Sequence, residues 1–321
     1  MTTARFKLTD VFTPEEVRGF AAKSDLAGWW AVASTWGIVA LAFAALAWWP
    51  NPATFLLALI VLGGRQLALS ILMHEAAHYS LFKTRRLNDI VGRWLCAAPV
   101  WSDVERYRKH HVQHHSHTGD ALDPDLSLVL PFPTTRASLR RKFTRDLTGQ
   151  TGIKRVYGLI LMDIGVITYT VSGGAKYRPR DGRRWTDYAR EGARNMYGMV
   201  LTNLALFGVL AATGHAWLYL AWIAAYLTTY SLFIRVRSIA EHACTEMSDH
   251  PLRNTRTTRA GVLARLTVAP INVNYHLEHH LMPSVAYHKL PKMHRLMVER
   301  GAITRAPGYL DVLRTATAKA A

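Results

Sequence analysis

The chain has 321 residues, half of them apolar, and a formal net charge of +17. The apolar residues are clumped into runs too long for an ordinary soluble core, and the basic residues lie between the runs, so no nucleic-acid surface is needed to explain the charge. The two cysteines, Cys96 and Cys244, fit no CxxC pattern and are read as reduced thiols, which argues against a disulfide framework.

Residues 1–27 hold Asp10, Glu15 and Glu16 and no apolar core, unlike a secretory signal. Within them Thr13-Pro14-Glu15-Glu16 predicts the start of a short helix, with a capping residue, a proline in the first turn and acids at the positive end. Residues 28–49 carry no charge, and 53–73 follow the breaker Pro50-Asn51-Pro52 with a single charge, Arg65. Runs of roughly 20 apolar residues match the length of a membrane-crossing helix. Two more uncharged runs, 196–213 and 215–234, are parted by Gly214. The fold class expected is therefore an all-α integral membrane protein: four transmembrane helices in two hairpins, with a cytoplasmic helical cap.

Apart from Arg65, the Lys and Arg residues fall before residue 28, in 74–195 and in 235–321. Basic loops stay inside. Both termini and the long middle segment are thus expected to be cytoplasmic, with the two hairpin tips outside. The division expected is an N-terminal tail (1–27), one membrane domain (28–300) and a C-terminal tail (301–321). Within the middle segment, 90–101 is amphipathic and interrupted by Pro99. Residues 156–171 are apolar but short and contain Asp163, so they are read as a helix lying in the interface or against the spans. Residues 172–187, rich in Gly, Pro and Arg, are read as a surface loop.

Most of the 15 histidines are clustered. His74 and His78 follow the second span in HEAAH. His111, His114 and His115 lie in HVQHH, and His276, His279 and His280 in HLEHH. His242 stands alone, eight residues past the fourth span. Positions three and four apart share one face of a helix, so each cluster can present imidazoles together. All of them fall at the same ends of the spans and can converge. Nine imidazoles exceed one tetrahedral zinc site and suit two metals of higher coordination number. Glu75, Glu241 and Glu278 each adjoin a proposed ligand and are expected to accept its free N–H, or in some cases to bond backbone or an arginine instead. Asn272 is placed to cap the last box or to hold a metal-bound water. Asp123-Pro124-Asp125 reads as a turn able to hold the second box in place. His110 and His117 are left open as ligands; His215, His250, His288 and His294 are read as ordinary surface or core residues. A histidine-rich metal transporter would place ionisable groups near mid-span, whereas these lie at or beyond the span ends.

HEAAH, HVQHH and HLEHH, in this order between paired spans, resemble the HxxxH, HxxHH and HxxHH boxes of the membrane fatty acid desaturase and hydroxylase superfamily, over about residues 30–300. His242 resembles that group's extra ligand after the fourth span. The resemblance implies two non-haem irons, O₂ as co-substrate and oxidation of an unactivated C–H bond of a lipid chain, with the nine histidines as ligands and no other catalytic residue. Two departures bear on the substrate. Where acyl-CoA desaturases have an asparagine that helps hold a water, this chain has Ser238, and the first box is one residue shorter than theirs. The resemblance is thus nearer to lipid-linked desaturases and carotenoid oxygenases. No haem-binding HPGG, ferredoxin-type cysteine cluster or GxGxxG is present. Electrons are expected from a separate ferredoxin, rubredoxin or cytochrome b5 type protein. Desaturation of a membrane-lipid acyl chain is the leading expectation, and hydroxylation or ketolation of a lipid or carotenoid the alternative.

Overall fold

The computed structural model describes residues 7–318, and the regular structure among them is all helix apart from two isolated bridges, Ile167 with Tyr177 and Arg259 with Gly308. In chain order the helices are α1 (Pro14–Ala21), α2 (Asp25–Trp48), α3 (Pro52–Ala77), α4 (Arg85–Val91), α5 (Val104–His117), α6 (Arg136–Leu147) and α7 (Gln150–Asp163). There follow α8 (Trp185–Ala212), α9 (Leu218–Leu227), α10 (Thr229–His242), α11 (Val262–Leu266), α12 (His276–Leu281), α13 (Leu290–Glu299) and α14 (Tyr309–Ala316).

The starts of these helices follow from side chains able to satisfy free backbone N–H groups. Thr13 and Glu16 form a capping box on α1, Ser24 caps α2, Asn51 with Pro52 starts α3, and Asp103 caps α5. The predicted short N-terminal helix is therefore present. It is held down on the rest of the chain: Phe12 and Phe20 bury against Met293 and Met297, and Glu16 pairs with Arg300 at 2.7 Å.

Helix α3 is the hub, packed against α2, α5, α9 and α10. From Leu62 to Ala77 all of its residues except Ser70 are buried. Gly63 and Gly64 permit this approach: a Cβ on the first would collide with Thr229 at the start of α10, and one on the second with the Leu266 carbonyl. Arg65, the lone charge of this run, is buried and donates from Nη2 to the carbonyls of Arg265 (3.2 Å) and Leu266 (2.9 Å) at the end of α11. Its partner is thus a helix C-terminus, which favours a cation.

Three helices, α2, α3 and α8, are long and apolar enough to cross a membrane. Only Gly192 and Leu210 of α8 are buried, while Val200, Leu201, Leu204, Phe207 and Val209 are exposed. Such a surface is at rest in hydrocarbon rather than in water. The run 215–234 is not one helix. It breaks at Thr228 (φ −110°, ψ −89°), which separates α9 from α10. The Tyr226 carbonyl beside the break accepts from Arg155 Nη2 at 2.5 Å. The apolar run 156–171 also differs from expectation. Helix α7 ends at Asp163, whose carboxylate is buried against Arg106 (2.5 Å) and Trp101 Nε1 (2.8 Å), and the rest is turn and extended chain. Residues 92–97 form a π-helical turn that leads into Pro99. Both cysteines are free.

Candidate metal centre

Four helix ends bring the histidines together. His74 lies in the last turn of α3 and His78 just beyond it, α5 carries the second box, α10 ends on His242, and α12 is made of the third box. The result is two groups. His74, His78, His111, His115 and His279 form the first, and His114, His242, His276 and His280 the second; within each, one nitrogen per residue lies within 4.8 Å of the others. The HxxHH spacing divides each box between the groups. His111 and His115, four apart, serve the first, while His114 serves the second; His276 and His280 serve the second, while His279 serves the first.

The nitrogens face one another. His111 Nε2 and His115 Nε2 are 3.0 Å apart, His115 Nε2 and His279 Nε2 3.0 Å, and His242 Nε2 and His276 Nε2 2.9 Å. For nitrogens about 2.1 Å from a metal, neighbours at right angles lie about 3.0 Å apart and opposite ones about 4.2 Å. The observed separations fall in that range. His74 Nε2, His78 Nε2 and His280 Nε2 are buried with no hydrogen-bond partner, a costly state unless something else takes their lone pairs. Burial, reinforced by neighbouring imidazoles, pushes His111, His276, His279 and His280 well below the usual histidine range and His115 to about 2. They are therefore neutral, the state that ligates metal. The residues fit two metal ions, five nitrogens for one and four for the other.

Hydrogen bonds at the opposite ring nitrogens fix several of these orientations. Asp123 Oδ1 accepts from His114 Nδ1 at 2.8 Å. Glu75 Oε1 is 3.1 Å from His74 Nδ1, and its other oxygen accepts from Ser80 Oγ at 2.7 Å. Thr118 Oγ1 is 3.3 Å from His280 Nδ1. The Asp-Pro-Asp turn thus holds the second box as its sequence suggested, and its second acid, Asp125, takes His110 Nε2 at 2.8 Å. That bond places His110 outside both groups. His117 pairs with Asp120 on the surface.

Three expected supports sit differently. Glu278 turns away from its neighbouring histidines and holds Thr257 Oγ1 and, at 2.6 Å, His294 Nδ1. At one and two residues from His279 and His276, it projects from another side of the helix. Asn272 neither caps α12, which begins after Tyr275 with no side-chain cap, nor faces the groups; it donates to the Tyr287 carbonyl at 3.3 Å. Glu241 is held by Arg237 Nε at 2.7 Å, and its Oε2 lies 3.8 Å from His276 Nε2. It therefore faces the second group directly. Ser238 lines the same cavity as Glu241, His242 and His276. His294, read as an ordinary residue, is thus the partner of Glu278; Arg237 and Thr257 were not singled out in the sequence, since one lies on an unmarked helix face and the other is brought in from a loop 21 residues away from Glu278.

The family model described as Fatty acid desaturase matches residues 47–307. Over 299 residues the chain is 26% identical to a dihydrorhizobitoxine desaturase of Bradyrhizobium elkanii, covering 88% of this chain and 76% of that one. Shorter matches join it to a beta-carotene 4-ketolase of Protosiphon botryoides, 35% identical over 24% of this chain and 20% of the relative. A zeaxanthin 4-ketolase of Chlamydomonas reinhardtii is 37% identical over 18% and 13%. With its histidine groups and with this match over most of its length, the chain is an oxidoreductase that belongs to the fatty acid desaturase family.

Proposed function

We propose that this protein is an O₂-dependent di-iron enzyme that introduces a double bond into an amphiphilic, lipid-like substrate at the membrane face. The observation that carries the reading is the convergence of nine buried imidazoles into two groups with unpartnered nitrogens. His74, His78, His111, His115 and His279 would hold one iron, and His114, His242, His276 and His280 the other. Two irons so held would supply activation of O₂ by two external electrons and removal of hydrogen from an unactivated C–H bond. Desaturation consumes O₂, two electrons and two protons and yields two waters with the new double bond. The chain's own part is positional: Asp123, Glu75 and Thr118 orient imidazoles, Arg237 holds Glu241 toward the second group, and burial excludes water. A ferredoxin, rubredoxin or cytochrome b5 type protein would deliver the electrons at the basic face.

The architecture goes with four crossings: α2, α3, α8 and the broken pair α9–α10, with both termini and the histidines cytoplasmic. Exposed Trp30 and Trp48 lie near opposite ends of α2. At 1.5 Å per residue they are about 27 Å apart, near the thickness of a hydrocarbon core. Tryptophans favour both borders of that core.

A second reading, hydroxylation or ketolation, draws on the matches to carotenoid ketolases, but they cover about a fifth of the chain. Mass spectrometry of lipid and aqueous extracts from expressing cells separates the two, with His279→Ala as control. A product lighter by two hydrogens supports desaturation, and one heavier by an oxygen supports the second reading. Products identical with and without the His279→Ala change would contradict both.

A further inference from the structure

Helices α6 and α7 form a hairpin beside α10. Helix α6 runs along α10 from its histidine end: Leu139 is buried with Ile239 and Ala243, around His242, and Asp146 pairs with Arg235 at 2.5 and 2.8 Å. Arg235 lies about 10 Å from His242 along that helix. The chain reverses at Gly149 in a left-handed turn (φ 81°), and Gly152, in the first turn of α7, sits so close to Leu227 that a Cβ would strike its backbone. Leu227 adjoins the break at Thr228. Thr229, just beyond it, packs on Gly63 of α3 and donates to the Leu59 carbonyl. By helical rise Gly63 is about 16 Å from His74 along α3, near half the ~30 Å of a hydrocarbon core. From this depth α7 runs back to Arg106 in the first turn of α5, which Asp163 meets at 2.5 Å.

The two helices expose different surfaces. On α7, Ile153 (62% exposed), Tyr157 (63%) and Ile160 (38%) recur at the spacing of one helix face, and nothing in the chain covers them. On α6, Arg136, Arg140, Arg141 and Arg145 are exposed. The one acid of that helix, Asp146, is buried in its pair with Arg235, and none of the four arginines has a carboxylate partner among the described residues. Lys142 adds a further cation on the flank, over the Phe132 ring. A basic face thus lies at the level of His242 and just beyond it, and an apolar stripe lies deeper. A soluble acidic protein would cover the arginines and leave the stripe in water. A leaflet of anionic lipid meets both, with phosphates beside α6 and acyl chains beside α7.

Resting on the four-crossing reading above, we propose that the α6–α7 hairpin dips into the inner leaflet without crossing it and binds anionic phospholipids there. The arginines of α6 take headgroup phosphates, to which guanidinium groups donate paired hydrogen bonds. Ile153, Tyr157 and Ile160 lie among the acyl chains. Arg145, the deepest of the four, reaches back to the headgroups along its own aliphatic stem. A zwitterionic lipid supplies the same chains, but its ammonium group offsets its phosphate, so the face selects lipids of net negative charge.

The test uses the full chain in phosphatidylcholine vesicles, with Cys244→Ser and one fluorophore on Thr144→Cys, an exposed position of the arginine face. Quenching by phosphatidylglycerol with a nitroxide on its chain, compared with the same nitroxide on phosphatidylcholine, gives the relative affinity of the two lipids for that face. Phosphatidylglycerol is expected to bind about five-fold or more tightly, which is what one arginine near an anionic surface supplies. Arg140→Gln/Arg141→Gln/Arg145→Gln is expected to bring the two lipids level. Equal affinities with all arginines present would overturn the proposal, with no variant needed, and so would a preference that survives the triple change. Displacement of the nitroxide lipid by an acidic ferredoxin would also overturn it and assign the face to the electron carrier. Depth is read separately: a fluorophore on Tyr157→Cys is expected to be shielded from iodide, as is one on Leu204→Cys in α8. Iodide access at Tyr157 alone would overturn the hairpin's insertion, and access at both would overturn the crossing reading with it.

Discussion

His114 is hydrogen-bonded to one carboxylate, Asp123, with Asp125 Oδ2 farther off at 3.8 Å. Asp123 Oδ1 takes its Nδ1 proton at 2.8 Å, both side chains are almost wholly buried, and the opposite nitrogen is thereby turned to the second group. Asp123→Asn removes the charge that holds this tautomer. Partners of this kind typically contribute 10–100-fold to metal affinity. Iron retention during a chelator titration is expected to fall by roughly that factor in the variant, with helix content by circular dichroism unchanged. Retention equal to wild type would show that the turn is only a connection. At this scale the nine histidines and the Asp-Pro-Asp turn are legible in the sequence, because spacing along a helix decides which side chains share a face. The positions of Glu278 and Asn272 are not, because adjacency in sequence does not give adjacency in space. Glu278 points off the ligand face to His294, and Asn272, with φ at 60°, sits in a left-handed turn directed at Tyr287.

Among the elements, α3 must approach both α10 and the end of α11 closely, and Gly64 makes the second contact possible. Gly64→Val drives a side chain into the Leu266 carbonyl, the same carbonyl that Arg65 binds. Overpacking of this kind costs roughly 1–3 kcal/mol, so the unfolding temperature in detergent is expected to drop clearly. Gly37→Val in α2, where a Cβ meets nothing, is the matched control and should leave it nearly unchanged. The N-terminal helix supplies a pH test. Hydrogen bonds from Arg300 and from the Thr13 backbone hold Glu16 at about 2, below its ordinary 4.5. A depressed carboxyl stabilises the fold above the unfolded value and loses that contribution as pH falls through the folded one. Glu16→Gln should therefore lower the melting temperature at neutral pH and make no difference once the pH is below about 2. An equal effect at both extremes would mean that the pairing with Arg300 adds nothing. The three long apolar helices were legible in the sequence, since length and hydropathy suffice for them. The break at Thr228 was not. Hydropathy is blind to φ and ψ, and the arginine that braces the break arrives from α7.

For the molecule as a whole, a charge of +17 concentrated outside the apolar helices would, under the proposed function, steer an acidic electron carrier to the basic face. Turnover with such a carrier is expected to fall as salt rises, through weaker association; turnover indifferent to salt would mean docking by apolar contact instead. The central claim is that four helix ends build two separate metal positions from nine histidines. The measurement that bears on it most directly is the iron content of the purified protein beside His78→Ala and His280→Ala, each of which removes a nitrogen from one group only. The account predicts two irons per wild-type chain and, in each variant, selective loss of one, with the remaining iron giving a different Mössbauer signal in the two cases. A single iron in the wild type, or the same iron lost from both variants, would contradict it.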